Sequence, residues 1–289
     1  GLKQQTERQK AQIYETGAFP PGHYYSPIPS RRDVSRGLRD NLSFDSFPDI
    51  DLRQRAQSEL ISEFSDFYRE LPFAEEKNDS SGRYYYNQTM FCYTDAIMLY
   101  CMIRKFAFNR IVEVGSGFSS AVMLDTLDAL GLNDCHITCI EPYPERLMAL
   151  VDVRNDRRLS LHEAGVQDVD ADILLSLRAG DLLFIDSSHV LKYGSDLQYL
   201  FFRVMPLLRT GVYVHFHDVF YPFEYPEDWL RRGIYWNEGY FLRAFLSGNH
   251  DWKIILFNHY ANVTMGQQIE DRMPLCRKNF GGSIYLEKA

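Results

Sequence analysis

Seven short apolar runs constrain the fold of this chain more than any other feature. They are RIVEV at 110–114, HITCIE at 136–141, RLSLHE at 158–163, DLLFID at 181–186, GVYVHFHD at 211–218, DWKIILFN at 251–258 and GSIYLEK at 282–288. Each is rich in β-branched, leucine or aromatic side chains and short enough to be a strand. The first five are separated by segments able to carry helices or tight crossovers. Parallel neighbours need such crossovers, whereas an antiparallel pair needs only a turn. The rhythm therefore predicts an α/β fold, a mostly parallel sheet covered on both faces, which also explains why the strands are apolar almost throughout. The last two runs break the rhythm: only a polar connection without a convincing helix lies between them, which predicts an antiparallel terminal pair at one edge.

Ahead of this region the chain reads differently. The first fifty residues, with GAFPPGHYYSPIPS at 17–30, are rich in Pro, Gly, Tyr and Ser and lack helical or strand period. They predict an extended arm that finds surface elsewhere. Leu52, Ala56, Leu60, Phe64, Phe67 and Leu71 then recur at helical spacing, with Asp49 or Asp51 available as N-cap and Pro72 as a stop. That is an amphipathic helix packed on the main body. A polar linker, EEKNDSSG, precedes a further helix expected from about Thr89 to Lys105. The predicted organisation is an N-terminal arm and helical extension over residues 1–88, acting as lid or pocket wall, and the alternating domain over residues 89–289.

Charge narrows the partners. A formal net charge of -8 argues against a nucleic-acid or anionic-membrane binder and toward a small-molecule partner, with a homo-oligomer compatible. Cys92, Cys101, Cys135, Cys139 and Cys276 are odd in number, form no C-x-x-C pair and sit mostly in apolar runs, as the buried reduced thiols of a cytoplasmic protein do. No run approaches the ~20 apolar residues of a membrane span.

Ligands of an open α/β sheet bind beyond the carboxyl ends of its strands. The first strand ends in VEVGSGFSS, where Gly115 and Gly117 let backbone approach a ligand and Ser116, Ser119 and the free amides open a helix. A bare G-x-G also makes a plain strand-to-helix turn, so the acids beside it matter. Glu113 can pair with a cationic group, and Glu141, in CIEPYP, can accept both hydroxyls of a ribose. A second constellation joins Asp186 and His189 in FIDSSHV to His217 and Asp218 in VHFHD, at the ends of neighbouring parallel strands. Single histidines and aspartates at strand ends are usually structural, whereas four arriving together form a set of ligands or proton carriers.

VEVGSGFSS, CIEPYP, LLFIDSSH and VYVHFHD look like successive motifs of the class I S-adenosylmethionine-dependent methyltransferases, and the resemblance covers roughly residues 87–289. It implies a Rossmann-like seven-stranded sheet with an antiparallel terminal strand. A nicotinamide-binding domain usually shows G-x-G-x-x-G, and Ser120 at the last glycine position disfavours that alternative. By the resemblance, Glu113 with Gly115, Ser116, Gly117, Phe118 and Ser119 serves the methionine end of S-adenosylmethionine. Glu141 and Pro142 serve the ribose, Val166 and Gln167 of EAGVQD the adenine, and Asp186 and Ser187 border the same cofactor.

This part is also similar to metal-dependent O-methyltransferases, especially those acting on sugar hydroxyls. There D-x-x-H supplies a metal ligand and a base, and a later acidic pair completes the metal site. Asp186 and His189 match the first element and Asp218 the second acid, while His217 departs from the pattern. An imidazole in place of an oxygen ligand weakens the case for Mg²⁺ and admits a softer divalent ion, or none. The implied catalytic residues are His189 as base with Asp186 and His217, and the implied metal ligands are Asp186, His217 and Asp218. An imidazole of ordinary pKa near ~6.5 suits proton removal from an alcohol at neutral pH. The expected activity is therefore O-methylation of a sugar or related metabolite. The aromatic segment with Trp229 and Trp236 suits a saccharide acceptor, or packing against the N-terminal helix; Tyr84, Tyr85, Tyr86 and Asn87 are candidates for the opposite pocket border. The alternatives are a nicotinamide-dependent oxidoreductase and a noncatalytic binding module.

Overall fold

A computed structural model describes residues 17–40, 47–78 and 82–289. Its central sheet has β1 (Arg110–Val114), β2 (His136–Ile140), β3 (Leu159–His162), β4 (Leu182–Ile185), β5 (Tyr213–His217), β6 (Trp252–Phe257) and β7 (Ser283–Lys288). The strand order is β3-β2-β1-β4-β5-β7-β6. β1 to β5 pair in parallel, and β7 is antiparallel to both β5 and β6. All seven sequence runs are strands. The order reverses between β1 and β4, the place where such a sheet opens a crevice for ligand.

The helices used below are α1 (Arg31–Asp40), α2 (Gln54–Phe67), α3 (Tyr93–Phe106), α4 (Phe118–Leu130), α5 (Glu145–Leu150), α6 (Asp172–Leu175), α7 (Asp196–Tyr199), α8 (Glu227–Arg231), α9 (Glu238–Leu246), α10 (Asn258–Thr264) and α11 (Gly266–Arg272). α3 and α4 are buried along most of their length, which suits helices covering a sheet that is apolar throughout. The chain divides into two units. Residues 17–40 with Tyr225–Trp236 form the smaller one, in which α1 and α8 are in contact; residues 47–224 and Asn237–Ala289 form the larger one, which includes α2 and the sheet.

Four local expectations are corrected. The arm is not wholly extended, because Ser30 and Asp33 cap α1 reciprocally: Ser30 N donates to Asp33 Oδ2 at 3.0 Å and Asp33 N to Ser30 Oγ at 3.1 Å. Its parts at 1–16 and 41–46 lie outside the described residues. At α2 the N-cap is Arg53, in the left-handed region at φ 49°. Asp51 accepts from Arg53 N instead, and Asp49 pairs with Arg243 at 2.8 Å. α3 starts four residues later than expected because Gln88 Oε1 draws the amides of Met90 and Phe91 into a turn, at 2.6 and 3.0 Å. Finally, α10 and α11 fill the connection read as helix-free. The inward face of α10 includes Asn258 and Asn262, whose polarity hid the pattern; Asn258 Nδ2 donates to Asp95 Oδ1 at 3.0 Å and to Ser283 Oγ at 2.6 Å.

Candidate active site

The turn after β1 is shaped by Gly115, at φ 85°. A Cβ at this position would lie 1.7 Å from the carbonyl oxygen of Asp186, so only glycine lets the ends of β1 and β4 approach so closely. Beyond it α4 begins, and its exposed amides and helix dipole favour an anionic group. Ser116 N donates to Glu141 Oε2 at 3.0 Å, and Tyr143 N donates to Glu141 Oε1 at 2.8 Å. Gly117 N is held by Ser120 Oγ at 3.1 Å. Glu141 thus ties the loops after β1 and β2 together at the switch point.

A cavity of about 350 Å³ opens there. Of the sequence candidates, Gly115, Glu141, Pro142, Val166, Gln167, Asp186 and Ser187 all line it. Tyr143 and Asp196 line it too, and neither stood out in the sequence. The Ser187 hydroxyl is buried beside Asp196 and, against the opposing effect of burial, helps to hold that carboxyl below the ordinary carboxylate range. Glu113 is placed differently. It is fully buried beneath the turn, accepting from Ser119 Oγ at 2.6 Å and from Ser120 Oγ. Burial raises its pKa to about 7, against the opposing hydrogen bonds from serines and Cys139. Phe118 turns its ring to Tyr85, edge to face at 5.8 Å. Tyr84 and Tyr86 are core residues, with Tyr84 Oη donating to the Phe91 carbonyl.

Asp186 also belongs to the second cluster. His189 Nε2 lies 3.4 Å from Asp186 Oδ1 and 3.6 Å from Asp218 Oδ2, and His217 Nε2 lies 3.7 Å from Asp218 Oδ1. The four residues read from FIDSSHV and VHFHD do converge, because β4 and β5 are neighbours in parallel register. His189 and Asp218 both stand in the left-handed backbone region, at φ 58° and 54°. Such strain in non-glycine residues gathers at functional sites. The Phe91 ring covers His217 at 5.0 Å, and behind it His215 stacks on Phe184 at 3.8 Å. A residue outside every motif completes the cluster: Glu238, at the start of α9, places Oε2 2.8 Å from His189 Nδ1.

Charge in the cluster is shared. Burial alone would lower the pKa of His189, but hydrogen bonds and charge from Asp186 and Glu238 hold it well above the ordinary value. Burial pushes Asp186 up, and His217 with His189 more than reverse this. Burial raises the carboxyls of both Asp218 and Glu238. One ligand atom from each of Asp186, His217 and Asp218 lies within 4.8 Å of the others. Ligand bonds of 2.0–2.6 Å put neighbouring donors about 3–5 Å apart, so this set of two carboxylates and an imidazole fits a divalent ion.

Comparison with known proteins bears on this arrangement. A family model described as a methyltransferase domain matches residues 112–219, from β1 to just past β5, a span that contains both clusters apart from Glu238. An uncharacterized protein of Archaeoglobus fulgidus is 35% identical over 167 residues, 55% of this chain and 73% of its own. Among solved structures, SAH-bound methyltransferase PaMTH1 of Podospora anserina aligns at 14% identity over 91% of this chain and 99% of its own, with a TM-score of 0.45. An apo structure of CmcI aligns at 15% identity over 96% and 95%, with a TM-score of 0.44. Neither of these two likenesses is close enough to carry an argument about chemistry. Residues 112–219 thus match a methyltransferase domain, and the strand order around them is that of the class I S-adenosylmethionine-dependent methyltransferase fold.

Proposed function

We propose that this methyltransferase transfers the methyl group of S-adenosylmethionine to a hydroxyl oxygen of a sugar or a related polyhydroxylated small molecule, assisted by a divalent cation. The observation that carries this reading is the convergence of His189, Asp186, Asp218 and His217 where Asp186 borders the cofactor cavity. The bound cofactor supplies an electrophilic methyl on a positive sulfur. The amides of Phe118 and Ser119 in the first turn of α4 suit its carboxylate, those of Gly115, Ser116 and Gly117 being taken by Ile140, Glu141 and Ser120. Each oxygen of Glu141 can accept more than one hydrogen bond, so it can take ribose hydroxyls while still tying the loops together. Val166 and Gln167, which also line the cavity, are the residues we assign to adenine.

Asp186, His217 and Asp218 would hold the cation, which when bound acidifies an acceptor hydroxyl and fixes its oxygen. His189 is the base, with Nε2 on the cluster side of its ring and Nδ1 turned to Glu238. Its pKa is raised by Asp186 and Glu238, not ordinary as the sequence suggested; a cation held by Asp186 would offset that part of the carboxylate charge and free Nε2 to take a proton. Amine or carboxylate acceptors need less help from a base, so this cluster favours an alcohol. A saccharide is the acceptor class expected from the aromatic segment with Trp229 and Trp236, whose rings are of the kind that stack on sugars. No helix among the described residues is long and apolar enough to cross a membrane, and five free thiols, four of them buried, support a cytoplasmic setting.

The test is formation of S-adenosylhomocysteine and methylated product with a panel of methyl glycosides and nucleotide sugars, with Mg²⁺ or Mn²⁺ and then with a strong chelator. Loss of a positioned base costs on the order of 10²- to 10⁴-fold, so His189→Ala should bind cofactor normally while turnover collapses. Near-normal turnover in that variant rejects the base. Turnover only with amine or carboxylate acceptors rejects O-methylation, and cofactor binding without any turnover indicates a noncatalytic module.

A further inference from the structure

The residue that opens α9 is a carboxylate withdrawn from water. Glu238 is 0% exposed, and beside the Oε2 contact to His189 its Oε1 has no hydrogen-bond partner. A buried carboxylate with an unmatched oxygen is destabilising, so its presence asks for a reason other than packing. The main chain repeats the contact. The amides of Asn237 and Glu238 both donate to the His189 carbonyl, at 3.2 and 3.3 Å. Asn237 Oδ1 accepts from Leu191 N at 2.6 Å, and Asn237 Nδ2 donates to the Leu191 carbonyl at 3.2 Å. The start of α9 therefore grips residues 189–191 by their backbone and His189 by its ring. His189 needs such holding, because its left-handed backbone is unfavourable for a non-glycine residue.

We propose that Glu238 is a positioning residue that keeps a proton on Nδ1 of His189 and fixes the plane of its ring, so that Nε2 is the nitrogen presented to the acceptor. The role rests on His189 being the base. A carboxylate bonded to one ring nitrogen decides what the other can do, and supporting partners of this kind are worth about 10- to 100-fold in activity at metal sites. Glu238 stands to His189 as a fixed acceptor that touches neither methyl donor nor hydroxyl.

The experiment uses the full chain labelled with ¹⁵N-histidine. Wild type should show a slowly exchanging, far-downfield Nδ1–H resonance, assigned by its loss in His189→Gln. The resonance should vanish in Glu238→Leu and survive, shifted upfield, in Glu238→Gln, whose amide oxygen still accepts. On an acceptor from the glycoside panel, kcat should fall about 10- to 100-fold in Glu238→Leu and less in Glu238→Gln, with KM for S-adenosylmethionine unchanged. If Glu238→Leu does not fold, the shifted resonance and reduced kcat of Glu238→Gln carry the test. A resonance that persists in Glu238→Leu, an unchanged resonance in Glu238→Gln, or an unchanged kcat after the bond is lost overturns the proposal. Failure of the base itself reads out separately, as normal kcat in His189→Gln.

Discussion

Replacing Glu113 by glutamine should change how the stability of this protein depends on pH, by an amount the structure sets. The carboxyl is fully buried with hydroxyl donors and no cation bonded to it, and burial raises its pKa from 4.5 to about 7. The unfolded chain releases this proton near 4.5, the folded one only near 7. Between those values the folded state holds more of the proton, so stability falls as pH rises, and the contribution is gone above about 7. A gap of about 2.5 units at ~1.36 kcal/mol per unit amounts to about 3 kcal/mol. Glutamine has nearly the same shape and no charge to bury. Urea unfolding of wild type and Glu113→Gln from about pH 5 to 8.5 should show the variant gaining about 2.5 kcal/mol relative to wild type, with no further gain beyond about pH 7.5. Saturating S-adenosylmethionine should flatten the wild-type dependence if its ammonium group lies near Glu113, because a nearby cation restores the ionised form. A stability difference that is constant with pH refutes the burial argument. One that shrinks means that the serine hydroxyls hold the ionised carboxylate below its ordinary range.

Further expectations follow from the same geometry. Gly115→Ala should drive β1 and β4 apart, lowering Tm and weakening cofactor binding at least tenfold by calorimetry, since its Cβ would overlap the Asp186 carbonyl. Glu141→Ala removes two loop hydrogen bonds and the proposed ribose acceptor; at about 1.5–3 kcal/mol for a charged hydrogen bond, affinity should drop roughly 10- to 100-fold, and unchanged affinity with intact folding removes Glu141 from the ribose site. Asp218→Asn should lose activity and regain part of it with added Mn²⁺ or Mg²⁺, whereas wild-type turnover that survives a strong chelator leaves only proton transfer to the cluster. Removing residues 1–40 should impair acceptor use more than cofactor binding; equal performance of both would make the arm packing or assembly material.

The strands and the first-strand turn could be read without coordinates because each follows from local chemistry. A strand buried on both faces must be apolar along its length, and Gly115 and Glu141 sit where a turn and a strand end announce themselves. The pairing of Asp186 and His189 with His217 and Asp218 was also legible, since parallel strands joined by crossovers bring their carboxyl ends to one edge. α1, α10 and α11 were missed for a different reason. α1 follows a stretch rich in proline, glycine and tyrosine, the inward face of α10 includes asparagines that look solvent-facing until Asp95 and Ser283 are seen to accept from one of them, and α11 buries a single residue, Ile269. Glu238 had no signature at all. It lies 49 residues from His189 in the chain, one acid in an aromatic stretch, and becomes part of the site only when α9 settles on the loop after β4. Sequence by itself determined the sheet and the chemistry available at its strand ends, because burial and turn geometry act over a few residues. Which side chains hold that chemistry in place was left to tertiary structure, because a hydrogen bond between distant segments leaves no periodic trace in either one.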